Sequence, residues 1–113
     1  MQSWLQGCWQ QGAVLIGISA GAIHLTWGIS DAGEPHLHRF GNFFEAITLV
    51  HEESKGWPGL DLYKRIPEGD SLDCIQIPMG SGVWIQHGRA TTFGRQASII
   101  RRKASIQSVP YYP

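Results

Sequence analysis

Short apolar runs, separated by polar stretches that contain glycine and proline, predict a chain in which strands and helices alternate. A continuous apolar run of strand length, typical of a strand covered on both faces, occurs at 13–18, and further strands are predicted at 46–50, 72–77 and 97–101. Helices are predicted at 3–11, closed by Gly12, at 20–27, and from about Pro58 to Ile66. Residues 83–93 predict a β-hairpin that turns at His87-Gly88. The stretch 28–41 is expected to be a loop, and 109–113 a loose tail.

This order of elements predicts one α/β domain over residues 1–113. The expected architecture is a partial doubly wound, mostly parallel sheet with flanking helices and a C-terminal β-hairpin. A doubly wound sheet usually begins with βα units, whereas here a helix precedes the first predicted strand. We therefore expect the domain to be truncated at its N-terminal side, with an exposed sheet edge capable of self-association.

Charge and cysteine content restrict the class of protein. The 113 residues carry nine basic and nine acidic side chains, so the formal net charge is zero. This balance argues against a nucleic-acid or anionic-membrane partner. Two distant cysteines, Cys8 and Cys74, fit free thiols of a reducing compartment better than a disulfide framework. With no signal peptide and no apolar run of membrane length, a cytoplasmic location is expected.

The segment 17–21 carries the most informative chemistry. It reads Gly-Ile-Ser-Ala-Gly after the apolar run, and a strand that enters Gly-x-Ser-x-Gly is the pattern of a nucleophile elbow. The motif is weak alone, but its context agrees, because a predicted strand precedes it and a predicted helix follows. Ser19 is therefore the candidate nucleophile, and the backbone N–H of Ala20 the candidate oxyanion donor. His51 follows the second predicted strand, at the sheet edge where catalytic groups collect, and is the candidate base.

Three segments together resemble the C-terminal half of the peptidase E-like and cyanophycinase-like serine peptidases, which share a class I glutamine amidotransferase-like fold. They are Leu15–Ala22 with its Ser-Ala-Gly-Ala, Leu49-Val50-His51, and 75–85 with its Ile-Pro-Met-Gly. The resemblance spans about residues 13–101. It implies a serine-type peptidase that hydrolyses small peptides or peptide-like amides, often around acidic residues, with no cofactor. Family members are about twice this length, and their N-terminal half would supply the first strands and part of the oxyanion hole.

The acid of the implied Ser-His-acid arrangement has three candidates. The resemblance places an acid in the loop after the elbow helix, where Asp31 and Glu34 lie, and Glu34 matches the spacing better. Alternatively, Glu53 shares one face of an extended His51-x-Glu53 segment, as in glutamine amidotransferases. Glu34 is the favoured assignment.

Other functions stay open beside the peptidase. His36 and His38, two residues apart, could share a face of a metal site, but no second ligand pair is present and a polar loop is the better interpretation, so no metal is expected. An acyl esterase could use the same elbow. The rival from a different class is a non-catalytic half-domain that acts by association with another chain.

Overall fold

A six-stranded mixed sheet and a two-stranded hairpin form the framework of the protein. The computed structural model describes residues 2–31, 34–41, 43–66, 72–87, 89–102 and 106–110. The helices are α1 (Gln2–Gln10), α2 (Ala20–His24) and α3 (Pro58–Arg65), with a short 3-10 turn at Glu53–Lys55. The strands are β1 (Trp27–Asp31), β2 (Pro35–Arg39), β3 (Ala46–Val50), β4 (Asp73–Ile77), β5 (Ser81–Gln86), β6 (Arg89–Gly94), β7 (Ser98–Ile100) and β8 (Ile106–Ser108).

The larger sheet has the strand order β2-β1-β3-β4-β7-β8, and β5 pairs with β6 in the smaller one. Its centre is parallel, because β3 lies between β1 and β4 and runs in the same direction as both. β2, β7 and β8 join with antiparallel pairing. The predicted α/β class is confirmed, as is the C-terminal hairpin. The doubly wound, mostly parallel arrangement stays a prediction.

Three of the predicted strands lie where the sequence predicts them. The run at 46–50 is β3, and those at 72–77 and 97–101 contain β4 and β7. Helix α3 begins at Pro58, whose fixed φ suits the first helical turn. Helix α1 ends before Gly12, which has φ +95°, the conformation that glycine adopts without steric cost.

Two predictions about the region before β3 are wrong. The stretch 28–41, expected to be a loop, contains most of β1 and all of β2 as an antiparallel pair. Its polar residues suit the edge position of β2, which begins with Pro35. The run 13–18 is not a strand, since β1 and β4 occupy both edges of β3 and leave no place beside it. Consequently Ile16 and Ile18 are each 82% exposed.

The large sheet carries a hydrophobic cluster on each face. Side chains alternate along β3, so Ile47 and Leu49 pack with Tyr63 of α3, whereas Ala46 packs with Ile75 on the other face. Ile47 and Ile75 are essentially inaccessible to solvent, and burying such a side chain contributes about 1.5–3 kcal/mol.

The expected loose tail is in part well packed. Val109 is buried in the second cluster and its N–H donates to the carbonyl of Ala97. The N–H of Thr92 donates to Pro110 O at 2.6 Å, so this segment joins the hairpin to the large sheet. Residues 111–113 lie outside the described residues. Among the helices of the described part of the chain, none combines the length and apolarity required to cross a bilayer.

Candidate active site

Ser19 lies in the tight turn that leads into α2. Its backbone has φ 56° and ψ −118°, an uncommon conformation for a residue with a side chain and one that the elbow interpretation requires. The turn is closely packed, because a Cβ on Gly17 would lie 2.4 Å from the carbonyl oxygen of Gly21. Only glycine fits at position 17. The same test at Gly21 finds no atom within 4 Å, so the two glycines of the motif have unequal roles.

His51 follows β3 directly and lies opposite Ser19. Its N–H donates to Ile77 O at 2.8 Å, which extends the parallel pairing of β3 and β4 by one residue. Its φ of 38° is also positive, so the chain turns sharply at the end of the strand. The Nε2 atom of His51 is 2.8 Å from Ser19 Oγ, a hydrogen bond between exposed side chains 32 positions apart in sequence. The structure thus brings the predicted nucleophile and base together.

A buried pair of hydroxyl groups fixes α2 against β3. Thr26, two residues after α2, and Thr48, in the middle of β3, have their Oγ1 atoms 2.6 Å apart. Thr26 Oγ1 also approaches Ala22 O at 3.4 Å and Ile23 O at 3.3 Å, the carbonyls at the end of the helix. Sequence reasoning did not find this pair, since an isolated threonine in a strand carries no signal of its partner.

The backbone N–H of Ala20 is available beside Ser19. The next two N–H groups are occupied, because Gly21 donates to Ile18 O at 2.9 Å and Ala22 donates to Ser19 O at 3.0 Å. Among the described residues no hydrogen bond is present for the Ala20 N–H. An N–H directly after the nucleophile is where an oxyanion donor is needed.

The three candidate acids lie at the same edge of the sheet in different surroundings. Asp31 ends β1, which is parallel to β3, and Glu34 follows in the turn before β2. Glu34 is exposed, and within the described residues it makes no hydrogen bond or ion pair with His51. Within the described residues, the His51 ring makes one hydrogen bond, which joins its Nε2 atom to Ser19 Oγ. The role of Glu34 stays a prediction.

Glu53 is held by its own set of contacts. Its Oε1 accepts a 2.8 Å hydrogen bond from Met79 N–H and lies 3.6 Å from Arg95 Nη1. The Met79 hydrogen bond is the main reason that the pKa of Glu53 lies below its usual value, with smaller contributions from the charges of Arg95 and His51. Glu53 is therefore ionised near His51, but the oxygen that makes these contacts faces Met79.

The remaining histidines lie apart from the Ser19–His51 pair. His36 and His38 are both on β2, and His38 Nε2 is 2.6 Å from Ser30 Oγ. His24 packs its ring edge-on against Phe40, at 4.5 Å between centroids. The described residues contain no group of three or more His, Cys, Asp or Glu side chains that could hold a metal ion.

Comparison with known proteins finds no matching family model, no matching curated protein and no matching solved structure.

Proposed function

We propose that the protein is a serine-type peptidase that hydrolyses peptide bonds of small peptides in the cytoplasm. We further propose that it belongs to the peptidase E-like and cyanophycinase-like class, and that its sheet is part of a doubly wound, mostly parallel arrangement. The observation that supports it best is the 2.8 Å contact between Ser19 Oγ and His51 Nε2. The positive φ of Ser19 adds to this, since strained backbone at an exposed serine is typical of an elbow.

In this mechanism Ser19 Oγ attacks the carbonyl carbon of the scissile bond while its proton passes to His51 Nε2. The negative charge that develops on the carbonyl oxygen is stabilised by the Ala20 N–H. His51 then returns the proton to the leaving amine, and water hydrolyses the acyl-enzyme by the reverse sequence of proton transfers.

The acid that orients His51 is proposed to be Glu34, with Asp31 and Glu53 as alternatives. Glu34 lies in the turn after β1, at the same edge of the sheet as His51. Glu53 is closer along the chain, but its Oε1 already accepts a hydrogen bond from Met79, and its Oε2 is buried with no partner among the described residues. Glu34→Gln is expected to slow serine acylation more than Glu53→Gln does.

The test is labelling of the purified chain with a fluorophosphonate probe. The parent is expected to label at Ser19, Ser19→Ala not at all, and His51→Ala at least about a hundredfold more slowly, as loss of a general base predicts. Ser30→Ala is the matched control, because Ser30 also has a histidine within hydrogen-bonding distance but no elbow. Equal labelling of the parent and Ser19→Ala, both folded by circular dichroism, would refute the proposal.

A second candidate function, association with another chain, is favoured by the exposed apolar segment before the elbow. Val14, Ile16 and Ile18 are exposed at 66%, 82% and 82%, and the segment has the composition of a buried strand. A folded parent that does not label, and whose apparent mass in solution rises with concentration, would favour this function over the peptidase.

A further inference from the structure

A polar pocket of about 180 Å³ lies at the carboxyl end of β4. Its lining includes Gln76, Ser98, Trp57 and Glu53. Gln76 is opposite Leu49 in the β3–β4 pairing, and Glu53 is two residues after His51. A water molecule occupies about 30 Å³ of liquid, so the pocket has room for an amino-acid side chain rather than a single water.

Gln76 is the residue that makes this pocket unusual. It is 5% exposed, and its side-chain amide makes no hydrogen bond with any other described residue. Cys74, two residues earlier on β4, packs with Tyr63, so alternation places Gln76 on the same face of the sheet, towards α3. Buried amides are almost always hydrogen-bonded, so the partner of this amide must come from within the pocket that it lines.

The pocket contains both hydrogen-bond donors and hydrogen-bond acceptors. The Gln76 amide offers two N–H donors and one carbonyl acceptor. Ser98 is its direct neighbour across the β4–β7 pairing, and its hydroxyl can donate or accept. A group that both donates and accepts would therefore satisfy this pair better than a pure donor or a pure acceptor.

The charges around the pocket favour a neutral group. Glu53 and Arg95 both line it, and they compensate each other at 3.6 Å between Oε1 and Nη1. Because these two charges are paired with each other, neither a carboxylate nor an ammonium group meets an unpaired opposite charge in the pocket. Trp57 and Pro78 supply flat apolar walls that suit the plane of a carboxamide.

We infer that this pocket binds the carboxamide side chain of a glutamine or asparagine residue in the substrate peptide. The peptide as ligand rests on the proposed function, whereas recognition of the carboxamide rests on the residues that line the pocket. Two head-to-tail hydrogen bonds join the ligand amide to the Gln76 amide, and the Ser98 hydroxyl is placed to add a third. The pocket thereby selects peptides that carry such a side chain.

The test is a titration with N-acetyl-L-glutamine methylamide, followed by two-dimensional ¹⁵N NMR of the full chain. The Gln76 side-chain signals, assigned by their absence in Gln76→Met, are expected to shift and saturate. The same shifts are expected in Ser19→Ala, and the norleucine and glutamate analogues are expected to bind at least about tenfold more weakly, as loss of paired hydrogen bonds predicts. Gln76→Met should weaken binding by a similar factor, whereas Gln11→Met, the same change at an exposed position, should leave it unchanged.

The outcomes separate this inference from the proposed peptidase. Binding of the glutamine analogue without fluorophosphonate labelling supports the carboxamide pocket and refutes the peptidase function. Labelling without saturable binding supports the peptidase function and refutes the carboxamide pocket. Equal affinity for the norleucine analogue, or for the parent and Gln76→Met, would overturn the inference. Should Gln76→Met not fold, Ser98→Ala tests the same pair of groups, and an unchanged affinity in that variant would also overturn it.

Discussion

The hydroxyl pair between Thr26 and Thr48 is expected to show strong energetic coupling, because each group is buried and each depends on the other. Both residues are at most 5% exposed, and their Oγ1 atoms are 2.6 Å apart. Thr26→Val leaves the Thr48 hydroxyl with no partner among the described residues, a loss that costs about 1–3 kcal/mol. Thr48→Val leaves Thr26 next to the carbonyls of Ala22 and Ile23, so about 0.5–1.5 kcal/mol is expected.

The double variant decides whether this reasoning is correct. With both hydroxyl groups replaced by methyl groups of the same shape, no buried polar atom is orphaned, and its free energy of unfolding should lie above that of Thr26→Val alone. Urea unfolding followed by tryptophan fluorescence measures all four proteins. At this chain length, 1 kcal/mol also moves the melting temperature by about 4–8 °C. Strictly additive losses, or a larger loss for Thr48→Val than for Thr26→Val, would refute the reasoning.

Two further predictions concern the elbow and the thiols. Gly17→Ala should destabilise the protein by about 1–3 kcal/mol and abolish labelling of Ser19, because the new methyl group collides with the backbone. Gly21→Ala should be tolerated. Equal effects of the two substitutions on thermal unfolding would contradict the packing of this turn. Burial, with the charges of Glu52 and Asp73, raises the pKa of Cys74 to about 12, so at mildly alkaline pH Ellman's reagent should react with Cys8 and reach Cys74 only on unfolding. Because the pKa of Cys74 is raised in the folded protein, the stability contributed by its protonated thiol is complete below about pH 8.5 and is lost as the pH rises towards 12. Rapid reaction of both thiols with Ellman's reagent in the native protein would contradict the burial of Cys74.

The sequence predicts best those elements whose pattern has one interpretation. The run 46–50 is apolar apart from Thr48 because β3 is covered on both faces, and β3 spans the same residues in the structure. The edge strand β2 begins with Pro35 and alternates histidines with apolar residues, and its many polar residues imitate a loop. The run 13–18 has the composition of a strand, but pairing depends on a free neighbour, which composition does not encode.

The positions of the candidate site residues were predictable where they depend on local conformation. Ser19 was accessible to sequence reasoning because a glycine-flanked turn has a recognisable spacing, and His51 because it ends a recognisable strand. Gln76 was not, since an amide in the middle of a buried strand becomes informative only when its missing partner is visible. The same holds for Thr48, whose partner lies 22 positions away.

The junction formed by Val109 and Pro110 has a consequence for how the protein opens. Thr92 in β6 donates to Pro110 O through its N–H and to Val109 O through its hydroxyl, while Val109 N–H donates to Ala97, directly before β7. The hairpin separates from residues 109–110 only if both Thr92 bonds break, whereas if residues 109–110 move with the hairpin, the bond from Val109 to Ala97 breaks instead. Amide hydrogen exchange should distinguish the two openings, because the first exposes the N–H of Thr92 and the second exposes that of Val109.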